Sequence, residues 1–374
     1  MKILGIETSC DETSVAVLET KNNKIKVLSN IVSSQIKIHA PYGGVVPSLA
    51  AREHEKNLEP VFEKALKKAG VKMPGIDLIA VTRGPGLEIA LWRGINFAKE
   101  LARQWGKPLL GINHLEGHIF SNWLKPVREI SNFQFLISKK FPILNLIVSG
   151  GHTQLILMAG RGKFKILGET VDDAAGEAFD KVARMIDLGF PGGPAISKLA
   201  EKGNPSKYSL PRPMLNQKNY NFSFAGLKTA VLYLLRDHFL LESCSAVKGS
   251  LRIKQDVAAS FQQAVVDVLI AKTIRAAKEY KVKSILLSGG VSANKVLRQT
   301  LRKETKKLGL FYSQPDLQYT GDNAAMIAIT GYYKNSKTTL RGVQLGNKMQ
   351  NAKLQFKNQN LKAKSNLKIK SWIR

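Results

Sequence analysis

Two stretches of the chain follow the same order of apolar and polar positions. Lys2-Ile3-Leu4-Gly5-Ile6-Glu7 is a short apolar run that breaks at Thr8-Ser9-Cys10-Asp11-Glu12-Thr13 and resumes at Ser14-Val15-Ala16-Val17-Leu18, which predicts a hairpin with a polar turn. Ile143-Leu144-Asn145-Leu146-Ile147-Val148, Ser149-Gly150-Gly151-His152-Thr153 and Gln154-Leu155-Ile156-Leu157-Met158 repeat that order. Each hairpin is followed by a lone apolar strand, a glycine-rich loop and a helical pattern. In the first half these are Asp77–Val81, Gly84-Pro85-Gly86 and a helix around Leu87–Trp105; in the second, Ser284–Leu287, Gly289–Asn294 and a helix through Leu297. The pattern predicts an α/β protein of two duplicated halves with a ligand cleft between them.

The expected organisation is a first half over 1–124, an insertion or linker over 125–142, a second half over 143–333 and a basic extension over 334–374. Residues 203–221, rich in Pro, Asn and Lys, read as a long surface loop. From Lys334 the apolar positions thin out, and a partly disordered segment is expected, with Leu361–Trp372 able to pack.

Composition adds a partner class. With 374 residues, 44% hydrophobic and 23% charged, the chain is long enough for two cores and has no apolar run of membrane-spanning length, so no membrane partner is expected. Only Cys10 and Cys244 are present, and Glu7, Asp11 and Glu12 interrupt what a signal peptide would need, which points to the cytoplasm. Lys plus Arg outnumber Asp plus Glu by 57 to 28, for a net charge of +29. Residues 331–374 carry eleven of those basic groups and no acid, so +18 remains on the rest. Nucleic acid is the favoured partner, since neutralised phosphates release counterions; a solvated basic surface is the alternative.

His114 and His118, in Asn113-His114-Leu115-Glu116-Gly117-His118, lie four apart and project from one helical face, where they can share a metal ion. In a zinc peptidase the glutamate directly follows the first histidine. Glu116 is two residues on, about 200° round the helix, so that base is missing. Asp322, in Gly321-Asp322-Asn323, is the favoured third ligand, although the same tripeptide also reads as a helix cap. Two histidines and one carboxylate leave open positions and suit Fe(II) or Zn(II). Val148–Thr153, Phe190–Pro194 and Ser288–Asn294 are glycine-containing loops able to present N–H groups to a phosphate; each alone also fits a tight turn. Asp180 can bond a ribose or amine or be a solvated helix charge. Asp11 and Glu12 are candidate acid–base groups in a polar turn.

Taken together, Ile6–Thr13, His114–His118, Val148–Thr153, Phe179-Asp180-Lys181, Pro191-Gly192-Gly193 and Gly321-Asp322-Asn323 resemble the TsaD family of tRNA adenosine threonylcarbamoyltransferases, formerly called glycoproteases, over about residues 2–333. The resemblance implies an actin-like, sugar-kinase-like (ribonuclease H-like) fold. It also implies transfer of threonylcarbamoyl from threonylcarbamoyl-AMP to the adenosine next to the anticodon in tRNAs reading codons that begin with A. It makes His114, His118 and Asp322 the metal ligands, with Fe(II) favoured, and places Ile147, Val148, Ser149, Gly150, Gly151, Asp180, Gly193 and Asn294 against the adenylate. A paralogous non-catalytic subunit (TsaB-like) and a small ATPase (TsaE-like) are the implied partners. A small-molecule kinase of the same fold and a non-catalytic tRNA-binding subunit are the competing readings.

Overall fold

The structure is a computed structural model that describes residues 1–22, 24–131, 140–241, 251–341 and 360–372. The first sheet holds β1 (Lys2–Glu7), β2 (Glu12–Lys21), β3 (Lys24–Ser34), β4 (Leu78–Gly84), β5 (Leu109–Asn113) and β6 (Ile130–Ser131), in the order β5-β4-β1-β2-β3-β6. The second holds β7 (Ile143–Val148), β8 (Thr153–Gly160), β9 (Lys163–Glu169), β10 (Ser284–Ser288) and β11 (Phe311–Ser313), in the order β11-β10-β7-β8-β9. β1–β5 and β7–β11 match strand for strand. In each set the first three strands pair antiparallel, while the fourth and fifth add parallel to the first. The short β6, in the predicted linker, extends only the first sheet; residues 132–139 of that linker lie outside the described residues.

The parallel additions need crossover helices, and the sequence supplies them. Besides the single-turn α1 (Ile36–His39), the first half has α2 (Pro47–Ala69), α3 (Glu88–Gln104) and α4 (His114–Phe120). The second has α5 (Ala175–Met185), α6 (Gly192–Ala200), α7 (Ala225–Leu241), α8 (Leu251–Glu279) and α9 (Lys295–Lys307). α8 is the one described helix long and apolar enough to cross a membrane, and its apolar residues are packed into the second half's core. Residues 203–221 contain no helix or strand, as their composition predicted.

Three apolar cores result. One belongs to the first half and one to the second; the third lies between the sheets, where Ile3, Ala16 and Ile112 meet Ile143, Ile156 and Leu286. α4 and α10 (Ala324–Arg341) fill that middle layer, and α10 packs on β1, β2 and β4 of the first sheet. Gly5 lets α10 approach, because a Cβ there would overlap the Ala324 carbonyl. Thus a helix from the end of the chain completes the first half.

The region beyond Lys334 departs from expectation at its start and matches it at Leu361–Trp372, which packs. α10 runs on to Arg341, so the boundary at 333/334 falls inside a helix. Residues 360–372 are docked as an irregular strap: Leu361, Ala363 and Ile369 are buried while Lys362, Lys364, Lys368 and Lys370 face solvent. Sparse apolar residues at alternate positions suffice to seat such a segment on an existing surface, which composition averaged over forty residues conceals. Residues 342–359 and 373–374 of the extension lie outside the described residues.

Candidate metal centre and nucleotide cleft

α4 starts at Asn113, whose side-chain oxygen accepts from the N–H groups of Leu115 and Glu116 (2.9 and 3.2 Å), satisfying two of the orphan donors of the first turn. The helix points His114 and His118 to one side, with ring centroids 4.6 Å apart. Asp322 meets them from the loop before α10, its Oδ1 3.4 Å from His114 Nε2 and 3.2 Å from His118 Nε2. One ligand atom from each of the three residues lies within 4.8 Å of the others. Asn323 rather than Asp322 caps α10, accepting from the Met326 N–H at 3.1 Å, and so leaves the Asp322 carboxylate to the histidines.

The donor set fits a divalent ion. His118 is fully buried, with Nε2 facing the Asp322 carboxylate at 3.2 Å and Nδ1 without a hydrogen bond among the described residues, which is costly unless a further partner enters. His114 is already oriented: its Nδ1 lies 3.1 Å from both Glu7 Oε2 and Ser9 Oγ, which leaves Nε2 toward Asp322. Glu7, wholly buried, is itself fixed by the Ser9 N–H (2.6 Å) and the Thr82 hydroxyl (2.7 Å). This is the carboxylate–histidine arrangement that sets the tautomer of a metal ligand. Sequence reading missed Glu7, although a carboxylate ending an apolar strand is a signal that it is buried with partners.

Charges at the cluster are strongly coupled. Burial opposes protonation of His114, but the Asp322 and Glu7 carboxylates outweigh it and carry its pKa up to about 9. Burial likewise opposes ionisation of Asp322, and the two histidines overcome it, holding the carboxyl well below the usual range. Burial lowers His118, with the neighbouring His114 adding to the effect. His152, at the end of the second hairpin turn, is brought down to about 4 by burial and then by His114 and His118, which puts that turn next to the cluster. The sequence reading did not name His152 as a site residue.

Glycine loops of the second half border a cavity of about 410 Å³ lined by Gly150, Asp180, Gly193 and Asn294, among others. That size is within the range of small-ligand sites. Ile147 and Val148 are buried with their side chains in two different cores, so only their backbone is available to a ligand. Ser149 and Gly151 stand in the adjoining turn, closed by Ser149 N–H donating to the His152 carbonyl at 2.8 Å. Asp180 accepts from the Gly192 N–H at 2.7 Å and thereby holds the start of α6; burial raises its pKa against that bond. Asn294 caps α9 through Leu297 N–H (2.9 Å) and donates to Ser197 Oγ (2.9 Å) and Gln262 Oε1 (2.7 Å). Asp180 and Asn294 are thus structural as well as cavity-lining.

In the first half, Asp11 lies in the β1–β2 turn and Glu12 begins β2. Burial, then Asp11 and Asp322, raise the Glu12 pKa, and the charge of Asp11 is also felt at Asp180. Buried His54 braces this turn from behind, with Nδ1 2.8 Å from Thr13 Oγ1 and Nε2 2.9 Å from the Cys10 carbonyl.

Comparison with known proteins gives the fold and the family. Among solved structures, HypF of T. kodakarensis shares the fold, with a TM-score of 0.55 at 14% identity over 89% of this chain and 47% of that one. Among sequences, the tRNA N6-adenosine threonylcarbamoyltransferase of Thermosipho africanus (strain TCF52B) is 50% identical over 348 residues, 92% of this chain and 98% of the relative. The enzyme of the same name from Bacillus subtilis (strain 168) is 50% identical over 332 residues, 88% of this chain and 90% of the relative. A family model for TsaD, tRNA N6-adenosine threonylcarbamoyltransferase, matches residues 26–329. The two actin-like halves therefore carry an acyl-group transferase whose substrate is tRNA, and the chain belongs to the TsaD family of tRNA N6-adenosine threonylcarbamoyltransferases.

Proposed function

We propose that the donor is threonylcarbamoyl-AMP and the acceptor the exocyclic amine of the adenosine adjacent to the anticodon in tRNAs reading codons that begin with A. The observation that carries this reading is the meeting of His114, His118 and Asp322 where α4 packs on β7, the strand that leads into the turn bordering the second-half cavity. The adenylate occupies that cavity, with the segment 147–151 against its phosphate and Asp180, Gly193 and Asn294 around its nucleoside. His114, His118 and Asp322 would hold one divalent ion, Fe(II) or Zn(II), which would supply Lewis-acid polarisation of a carbonyl. Glu7 and Ser9 hold the Nδ1 side of His114, so that Nε2 is the nitrogen from which a metal ion would displace the proton.

The amine nitrogen attacks the carbamoyl carbon, the new N–C bond forms, and the C–O bond to phosphate breaks with its electron pair leaving on AMP. The amine proton passes to Asp11 or Glu12. Burial raises the Glu12 pKa, which makes its carboxylate a stronger proton acceptor than an ordinary one. The basic surface binds the tRNA backbone, and a TsaB-like paralogue and a TsaE-like ATPase complete the assembly in the cytoplasm.

A kinase of this fold has no need of the His–His–Asp cluster, and a non-catalytic tRNA-binding subunit has no need to retain it. The test is mass spectrometry of nucleosides from unmodified tRNA incubated with the protein, threonylcarbamoyl-AMP, metal and the partner proteins. The expected product is a modified adenosine that disappears with His114→Ala; no product from the unaltered protein with active partners rejects the reading.

A further inference from the structure

We propose that residues 360–372 are a clasp that sets α4 against the second half, with Trp372 as its positioning residue; the link to catalysis rests on the reading that α4 carries metal ligands. The clasp grips α4 at both ends. At its start, the Leu367 carbonyl accepts from Asn113 Nδ2 at 3.1 Å, and Asn113 is the residue whose other side-chain atom caps the helix. Between the two histidines, Glu116 is buried and accepts from the Trp372 indole N–H at 2.9 Å, with Lys334 Nζ 3.7 Å away on the same carboxylate oxygen. At the far end, the Trp372 ring stacks on Phe120, with centroids 5.5 Å apart and planes 22° from parallel.

The same segment is tied to both sheets. Toward the first, Lys364 N–H donates to the Arg83 carbonyl (2.8 Å) and Gly86 N–H to the Ser365 carbonyl (3.1 Å). Toward the second, Trp372 N–H donates to the Gly162 carbonyl (2.8 Å), Phe164 N–H to Ser371 Oγ (2.9 Å), and Lys368 pairs with Glu169 (2.9 Å). Two glycines make room: a Cβ at Gly84 would overlap the Lys364 carbonyl, and one at Gly162 would overlap the indole. The β8–β9 turn at Gly162 is thus linked through one tryptophan to a carboxylate lying between the metal-ligating histidines. Glu116, in the wrong register to act as a peptidase base, instead anchors this linkage. A short helix of two turns has little rigidity of its own, so its direction is set by what holds its ends.

Hydrogen exchange followed by mass spectrometry on the full-length protein tests the clasp. In Trp372→Ala, amides of 113–123 should exchange about tenfold faster or more, while 284–301 in the second half stays as in the unaltered protein. Trp372→Phe, which keeps a stacking ring but loses the indole N–H, should give a smaller selective increase. Glu116→Gln, which keeps an acceptor for that N–H, should exchange as the unaltered protein does. Zn(II) titration against a competing chelator gives the second readout, with affinity about tenfold weaker or more in Trp372→Ala, as for loss of an outer-shell support.

Unchanged exchange at 113–123 in both tryptophan variants, or acceleration equal throughout the chain, overturns the proposal. Failure of the unaltered protein to bind Zn(II) or Fe(II) defeats the metal reading instead, while the exchange result still decides the clasp.

Discussion

Replacing Glu7 by glutamine alters one atom at the point where the first half supports the metal centre. The carboxylate has two oxygens in use: Oε1 accepts from the Ser9 N–H, and Oε2 takes the Thr82 hydroxyl and faces His114 Nδ1. Glutamine keeps one acceptor, which the Ser9 N–H holds, and turns its NH₂ toward Thr82 and His114. His114 must then accept at Nδ1 and carry its proton on Nε2, the nitrogen directed at Asp322. Removing such an outer-shell partner weakens metal binding by about 10–100-fold, or about 1.4–2.7 kcal/mol.

The pH profile sharpens the prediction. His114 is raised above its unfolded pKa, so its protonated form stabilises the ion-free fold fully below about 6.5, a contribution lost as pH rises through about 9. A metal ion must displace that proton. Affinity therefore climbs about tenfold per pH unit over this window and levels off above it. In Glu7→Gln one of the two carboxylates that raise His114 is gone, so the plateau begins at lower pH and lies at weaker affinity. Zn(II) titration against a chromophoric chelator from pH 6 to 10 measures both. A plateau dissociation constant within about twofold of the unaltered protein would refute the reasoning.

Three further outcomes are expected. Asp11→Ala and Glu12→Ala, assayed separately, should identify the base by loss of turnover with metal content intact; full activity in both removes these residues from the reaction. Asp180→Ala, which removes the carboxylate from the first N–H of α6, should cost about 1 kcal/mol of stability as well as AMP affinity. Asp180→Asn keeps an acceptor and should lose only the affinity, as thermal unfolding and AMP calorimetry would show. Lys362, Lys364 and Lys370 are exposed along the clasp. Changing all three to glutamine should reduce the slope of log tRNA affinity against log salt by up to about 0.9 for each phosphate no longer neutralised. An unchanged slope would mean that this row does not touch RNA.

The duplication was legible because β1–β2 and β7–β8 present the same apolar–polar–apolar order, and each is followed by a buried strand leading into a glycine turn. The third strands were less so: β9, Lys163–Glu169, exposes most of its residues to some degree and carries no continuous apolar signal. His114 and His118 were readable from helical spacing alone. Asp322 could be named as their third ligand, but not placed beside them, since the two segments meet only when α10 inserts between the sheets. Spacing could show that Glu116 points away from a metal but not that it meets an indole from residue 372. That Leu361–Trp372 could pack was legible, but where it docks was not: lysines alternate with its buried residues, so its average polarity resembles a solvated tail.

The order in which the ligands are encoded has a consequence for biosynthesis. His114 and His118 emerge from the ribosome early, but Asp322 follows roughly 200 residues later, about 10–40 s at ordinary elongation rates of about 5–20 residues per second. During that interval the nascent chain holds a pair of imidazoles without their carboxylate, and the middle layer that buries them still lacks α10. A ribosome that stalls before Asp322 therefore produces a chain unable to close its metal centre. On the proposed reading of these three residues as metal ligands, metal loading is a late event in the protein's maturation.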